Sequence, residues 1–173
     1  SVNVKAVRQA IQQASADWQV TENRFTRMSL QERQRYLGSL DPDFPAQSVS
    51  TLDLYNEAMP ESLDWRARDG NWVTPVRDQG ECGSCWAFSA IAQVESYYLL
   101  KNGTPNVDLD LSEQYLVSCT DAGDCEQGGW TYRAIEHMTT TGAPLESCYP
   151  YKGKTNLDCN TICEDWDPGQ YRV

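Results

Sequence analysis

The stretch Pro75-Val76-Arg77-Asp78-Gln79-Gly80-Glu81-Cys82-Gly83-Ser84-Cys85-Trp86-Ala87-Phe88-Ser89-Ala90 joins a polar, glycine-containing loop to an apolar run. The run reads as a helix over residues 87–100, closed by Asn102-Gly103, and the loop delivers Cys85 to its first position. A thiol with an ordinary pKa of about 8.5 is a modest nucleophile, and the positive end of a helix favours its thiolate. A backbone N–H at that helix start and the side-chain amide of Gln79 are both candidates to hold an oxyanion. A nucleophile and an oxyanion hole thus lie within seven residues, which is the core equipment of acyl transfer. Gly83 leaves room for an extended chain to pass close to the loop.

Around this stretch the chain has 173 residues, a net charge of −11 and 40% hydrophobic residues with six Trp and nine Tyr, enough to build a core. An excess of 25 acids over 14 bases argues against a nucleic-acid partner. The longest apolar runs, near residues 85–91 and 97–100, fall far short of the ~20 residues of a membrane span, so no membrane partner is expected. The acid excess is concentrated: residues 1–58 carry a net −1 and residues 59–173 a net −10. All seven cysteines lie in the second part, at a density that favours an oxidising compartment: secreted, periplasmic, or lysosome- or vacuole-like. The chain begins at Ser1 without an apolar signal region, so any secretory signal is expected to have been removed or left out.

The cysteine-free leader opens with Val4, Val7, Ile11, Ala14 and Trp18 at the spacing of one helical face. A second helix begins at a capping box, Ser29 with Glu32, and is expected to end at Tyr36-Leu37 with Gly38 taking the left-handed turn. Residues 40–51, with two prolines, should run extended. Such short helices bury too little to stand alone, so the leader should pack on the body. Shorter body helices are expected over residues 112–119 and 130–140, and the tail from Tyr149 shows little periodic pattern.

The run Cys82-Gly83-Ser84-Cys85-Trp86 resembles the signature of the papain-like cysteine peptidases. The likeness extends to Pro60-Glu-Ser-Leu-Asp-Trp-Arg66, Leu111-Ser-Glu-Gln114, Gly128-Gly129 and Tyr149-Pro-Tyr151, and in the leader to Asn23-Arg-Phe25, Met28-Ser29 and Glu32-Arg33. It implies a mainly α fold: the helical left half of the papain-like α+β two-domain unit, stapled by disulfides, with a short helical propeptide. The implied divisions are 1–58 as inhibitory leader, 59–165 as helical left domain and 166–173 as the start of a connection to a right domain. The resemblance makes Cys85 the nucleophile and Gln79 the oxyanion-hole amide. Gly83, Ser84, Trp86, Gly128, Gly129 and Trp130 become the substrate-binding residues. Gly128 and Gly129 would offer backbone hydrogen bonds to an extended peptide, and Trp130 would line an apolar pocket. It suggests the bridges Cys82–Cys125 and Cys119–Cys159, leaving Cys148 and Cys163 to pair. Three positions depart from the pattern: Cys125-Glu-Gln-Gly-Gly has one residue more than Cys-x-Gly-Gly, and Thr21 and Arg27 stand where the leader motif has Gly and Asp.

The family places its catalytic histidine roughly 130–150 residues after the cysteine, whereas 88 residues follow Cys85 here. The single histidine, His137, lies 52 residues downstream on the Trp130, Ala134 and Met138 side of its helix and reads as a packed histidine. The expected partners are therefore a peptide or protein substrate and a C-terminal half holding the base, possibly a separate chain. The chain alone is expected to be inactive. No cofactor and no metal are expected. A four-thiolate zinc site from Cys82, Cys85, Cys119 and Cys125 is disfavoured by its spacing, and a thioredoxin-type Cys-x-x-Cys lacks a flanking strand-helix-strand pattern. The alternative function is a non-catalytic secreted binder or inhibitor of related peptidases. On the leader reading, residues 41–51 are the candidate to occupy the groove, with cleavage near residues 58–60 releasing it. Mass mapping of unreduced tryptic peptides is expected to find Cys85 outside every disulfide, and a bridge containing Cys85 would contradict this account.

Overall fold

The computed structural model describes residues 1–39 and 61–172. Residues 41–51 and the cleavage region at 58–60 lie outside them. Among the described residues the chain is mostly helical, with a single two-stranded sheet and three disulfides. None of the described helices is long and apolar enough to cross a membrane.

Among its described residues the leader holds three helices: α1 (Val4–Gln13), α2 (Arg24–Arg27) and α3 (Leu30–Gln34). The face of α1 is shorter than its spacing implies. The helix stops at Gln13, Ser15 takes a positive φ of 50°, and Trp18 is left exposed. The α2 turn, absent from the sequence reading, is closed by reciprocal bonds between Asn23 and Thr26. The predicted capping box of α3 is present: the Glu32 N–H donates to Ser29 Oγ at 3.1 Å and the Ser29 N–H to Glu32 Oε2 at 2.6 Å. Gly38 departs from its expected role, because it is not among the positive-φ residues. Its lack of a side chain serves a close approach to the body instead.

The body is built on α4 (Cys85–Asn102), which ends where Gly103 takes a φ of 64° and donates back to the Leu100 carbonyl. Its Trp86, Ala87, Ala90, Ile91, Val94 and Leu99 are buried, packed with α5 (Glu113–Cys119) and α6 (Thr131–Thr140). Ser112 caps α5 by accepting from the Tyr115 N–H, and its hydroxyl donates to the Tyr149 carbonyl at 2.6 Å. Between α5 and α6, β1 (Gly123–Asp124) pairs antiparallel with β2 (Gly128–Gly129).

The tail acquires its order from tertiary contacts that no sequence period encodes. Fully buried Gln114 donates to the Lys154 carbonyl and accepts from the Lys152 and Gly153 N–H groups. A 3₁₀ turn at Cys159–Thr161 follows. Trp166 then packs edge-on against Tyr115 at 5.1 Å, and Tyr171 against Tyr98 at 5.4 Å.

Two carboxyls are buried beside α4 and α5. Glu95 accepts from Thr74 Oγ1 at 2.5 Å and from the Leu111 N–H at 2.8 Å, yet burial outweighs these bonds and pushes its pKa up to about 7. Burial, reinforced by the charges of Glu95, Glu146 and Asp110, raises Glu113 to about 8. Both values exceed the ordinary 4.5, so the folded chain keeps protons that the unfolded chain has lost. For these groups stability is greatest below about pH 4.5 and falls as pH rises to about 8. Urea denaturation is expected to give a lower midpoint at pH 8 than at pH 5. Glu113→Gln should shrink that difference, by an amount on the order of 1 kcal/mol or more.

Candidate active site

Cys85 is the unpaired cysteine and the first residue of α4. The preceding residue, Ser84, does not cap the helix with its side chain, because its hydroxyl is used elsewhere. Ser84 Oγ lies 2.6 Å from the Tyr151 hydroxyl, which donates to the Gln79 carbonyl at 2.9 Å, so Ser84 supplies the proton between them. Tyr151 is itself fixed by edge packing on Phe88 at 5.0 Å and by donation of its N–H to Glu146 Oε1. One phenol thereby ties Gln79 and Ser84 to each other on either side of the Cys82 turn. Nothing in the local sequence around Tyr149-Pro-Tyr151 marks Tyr151 for this role.

The second wall of the cleft is the β1–β2 pair. The Cys82–Cys125 disulfide joins it to the Cys85 loop, and the Gly83 N–H donates to the Cys125 carbonyl at 2.9 Å. A Cβ on Gly83 would fall 2.7 Å from that carbonyl oxygen, and one on Gly129 would fall 2.6 Å from the Trp86 ring. Glycine is therefore required where the two walls meet.

Leader backbone fills the space between them. Gln79 Nε2 donates to the Tyr36 carbonyl at 3.1 Å as well as to the Cys82 carbonyl at 2.7 Å. The Gly38 N–H points at Cys85 Sγ, 3.3 Å away. The Gly38 carbonyl accepts from the Gly129 N–H at 2.7 Å, and Ser39 continues in a parallel bridge to Gly129. A Cβ on Gly38 would stand 1.6 Å from the Gly83 oxygen, so no side chain fits there. At the margin, Arg24 pairs bidentately with Asp78 at 3.2 Å, and Arg35 reaches Glu81 at 3.4 Å. Both pairs are exposed and contribute little by themselves.

Two of the expected substrate-binding residues are covered while the leader is seated. Ser84 and Trp86 are fully buried and offer no surface with the leader in place: Ser84 is engaged by Tyr151, and Trp86 supports Gly129 from behind. Gly128 and Gly129 lie directly under the leader. Trp130 is half-buried, with the Arg133 guanidinium 4.2 Å from its ring centroid. His137 Nε2 is 3.0 Å from the Tyr115 hydroxyl, and burial lowers its pKa. The remaining six cysteines form Cys82–Cys125, Cys119–Cys159 and Cys148–Cys163. Cys82, Cys119 and Cys125 are consumed in these bridges, which removes the four-thiolate zinc alternative.

A sequence profile described as papain family cysteine protease matches residues 59–170. Caricain from Carica papaya is 41% identical over 135 residues, covering 76% of this chain and 37% of that protein. Papain from Carica papaya is 32% identical over 173 residues, covering 98% of this chain and 47% of that protein. The chain thus spans less than half the length of these two curated relatives. The digestive procathepsin L2 proteinase from Tenebrio molitor larval midgut superimposes with a TM-score of 0.72 at 32% identity, covering 92% of this chain and 53% of that one.

Gly38→Ala is expected to unseat the leader from Cys85. An overpacking cost of roughly 1–3 kcal/mol corresponds to about 5- to 140-fold faster alkylation of Cys85 by iodoacetamide. The check is the alkylation rate of variant against parent, and equal rates would contradict the contact.

Proposed function

Because the chain belongs to the papain family of cysteine proteases, we propose that it is the proform of an endopeptidase that cleaves peptide bonds through a Cys85 acyl-enzyme. In this reading residues 1–58 are an inhibitory leader, 59–165 the helical left domain and 166–173 the start of a connection to a second domain. One observation carries the proform reading. Tyr36 and Gly38 engage Gln79, Cys85 and Gly129 with leader backbone, at the positions a substrate chain would need. The similarity to a procathepsin over 92% of this chain supports the same reading.

In the reaction, the Cys85 thiolate adds to the carbonyl carbon of the scissile bond and the C=O electron pair moves to oxygen. Gln79 Nε2 and the Cys85 N–H donate to that oxyanion. Collapse expels the amine, which takes a proton from an imidazolium, and leaves a thioester that water then hydrolyses. Tyr151 acts as a positioning residue by holding Gln79 and Ser84. His137 is engaged with Tyr115, so the base is assigned to sequence outside these 173 residues. The partners are a peptide or protein substrate and the portion carrying that base. The substrate residue two places before the scissile bond packs an apolar side chain on Trp130. The three disulfides fit an oxidising compartment, secreted, periplasmic, or lysosome- or vacuole-like.

Cleaving the leader near residues 58–60 is expected to let a peptidyl epoxide label Cys85 stoichiometrically and faster than in the intact chain. Steady peptide hydrolysis should stay undetectable in both forms. An unchanged labelling rate would refute the blocking role, and sustained turnover by the chain alone would refute the assignment of the base. A mere binder should resist the epoxide altogether.

A further inference from the structure

A solvent-open cleft of about 460 Å³ runs along the seam between leader and body. Arg24, Phe25, Arg33 and Tyr36 of the leader and Arg77 and Phe88 of the body line it, along with the Arg24-paired carboxylate of Asp78 and the amide of Gln79. Three guanidiniums around one cleft stand out in a chain with a net charge of −11. Two of them are already neutralised: Arg24 by Asp78 at 3.2 Å, and Arg77 by Asp108 at 2.9 Å and Asp110 at 3.2 Å. Arg33 is different. Among the described residues it has no ion pair, and its buried Nε has no hydrogen-bond partner. A single buried donor without an acceptor is unfavourable, and the half-buried Arg33 side chain lines the cleft with its guanidinium unpaired among the described residues. The same cleft is lined by the rings of Phe25 and Tyr36, with the Arg24 guanidinium 4.8 and 5.6 Å from their centroids, and by the ring of Phe88, surfaces that suit an apolar group.

We propose that this cleft binds a small carboxylate carrying an apolar group, with the carboxylate accepting from the Arg33 guanidinium and the apolar part lying against Phe25 and Phe88. Its walls come from both leader and body, so the ligand binds only while the leader is seated. By mass action it then holds the leader over Cys85. This regulatory consequence rests on the blocking role proposed above, whereas the binding itself does not.

The test titrates 4-phenylbutyrate into the intact 173-residue chain by calorimetry and follows iodoacetamide labelling of Cys85 in parallel. Saturable one-to-one binding and slower Cys85 labelling are expected, with no binding of 4-phenylbutan-1-ol. Arg33→Met should weaken binding about tenfold or more, the loss of one charge-assisted contact. Without ligand, it should leave Cys85 labelling no faster than in the parent, because a buried donor without an acceptor has been removed. Arg33→Lys should retain part of the affinity, and Cys85→Ser all of it. Absence of saturable binding, equal binding of the alcohol, or full affinity in Arg33→Met overturns the site. Faster labelling of ligand-free Arg33→Met overturns the claim that Arg33 is spare. Binding that leaves Cys85 labelling unchanged keeps the site but overturns its regulatory role, and so separates this inference from the blocking role itself.

Discussion

Cys85 has a cleft around it because Cys82 is bonded to Cys125. That disulfide, with the Gly83 N–H on the Cys125 carbonyl, brings the loop leading into α4 against the β1–β2 pair. Without it the first turn of α4 and the Gly128-Gly129 backbone would be two unrelated surface features. With it they face each other across a gap that admits main chain and little else. The long buried face of α4 supplies the rigid base, and Tyr151 fixes the loop from beneath. The geometry at the sulfur is therefore set by a covalent tie, a packed helix and one phenol, all on the body.

The leader is held by a different kind of interaction. Its ion pairs are exposed, and its helices are short, with Ile11 the single buried apolar side chain described in them. What fixes it is shape: the Tyr36 carbonyl and the Gly38 N–H and carbonyl are matched to Gln79, Cys85 and Gly129, with a glycine where the walls leave no room for a Cβ. Such an arrangement is specific without being strong. On the proform reading proposed above, a segment to be released is well served by contacts that depend on register rather than on buried area.

Much of this was legible in the sequence. The Cys85 helix, its closure at Asn102-Gly103, the Ser29–Glu32 box and the two shorter body helices follow from local patterns, and the structure shifts their ends by no more than three residues. The family was legible from Cys82-Gly83-Ser84-Cys85-Trp86 because that run compresses a site into five neighbouring positions. Long-range roles were not legible. Gly38 read as a helix stop because local chemistry cannot reveal that Gly83 lies against it. Adjacency to Cys85 in sequence does not say which side of the turn the Ser84 and Trp86 side chains take, and both are buried with the leader seated. Tyr151 lies 66 residues from Cys85, and the tail is ordered by Gln114, Trp166 and Tyr171 acting across the fold, so neither leaves a periodic trace.

The three bridges overlap along the chain. Cys119 precedes Cys125, and Cys148 precedes Cys159, so each covalent loop begins before the previous one has closed. A single nick anywhere from Cys82 to Cys163 consequently leaves its two pieces attached, whereas a nick upstream of Cys82 sets the N-terminal piece free. Among hydrolytic neighbours such wiring makes attrition directional: the body survives a scission intact as one molecule, and the arm lying over its sulfur is what a scission removes.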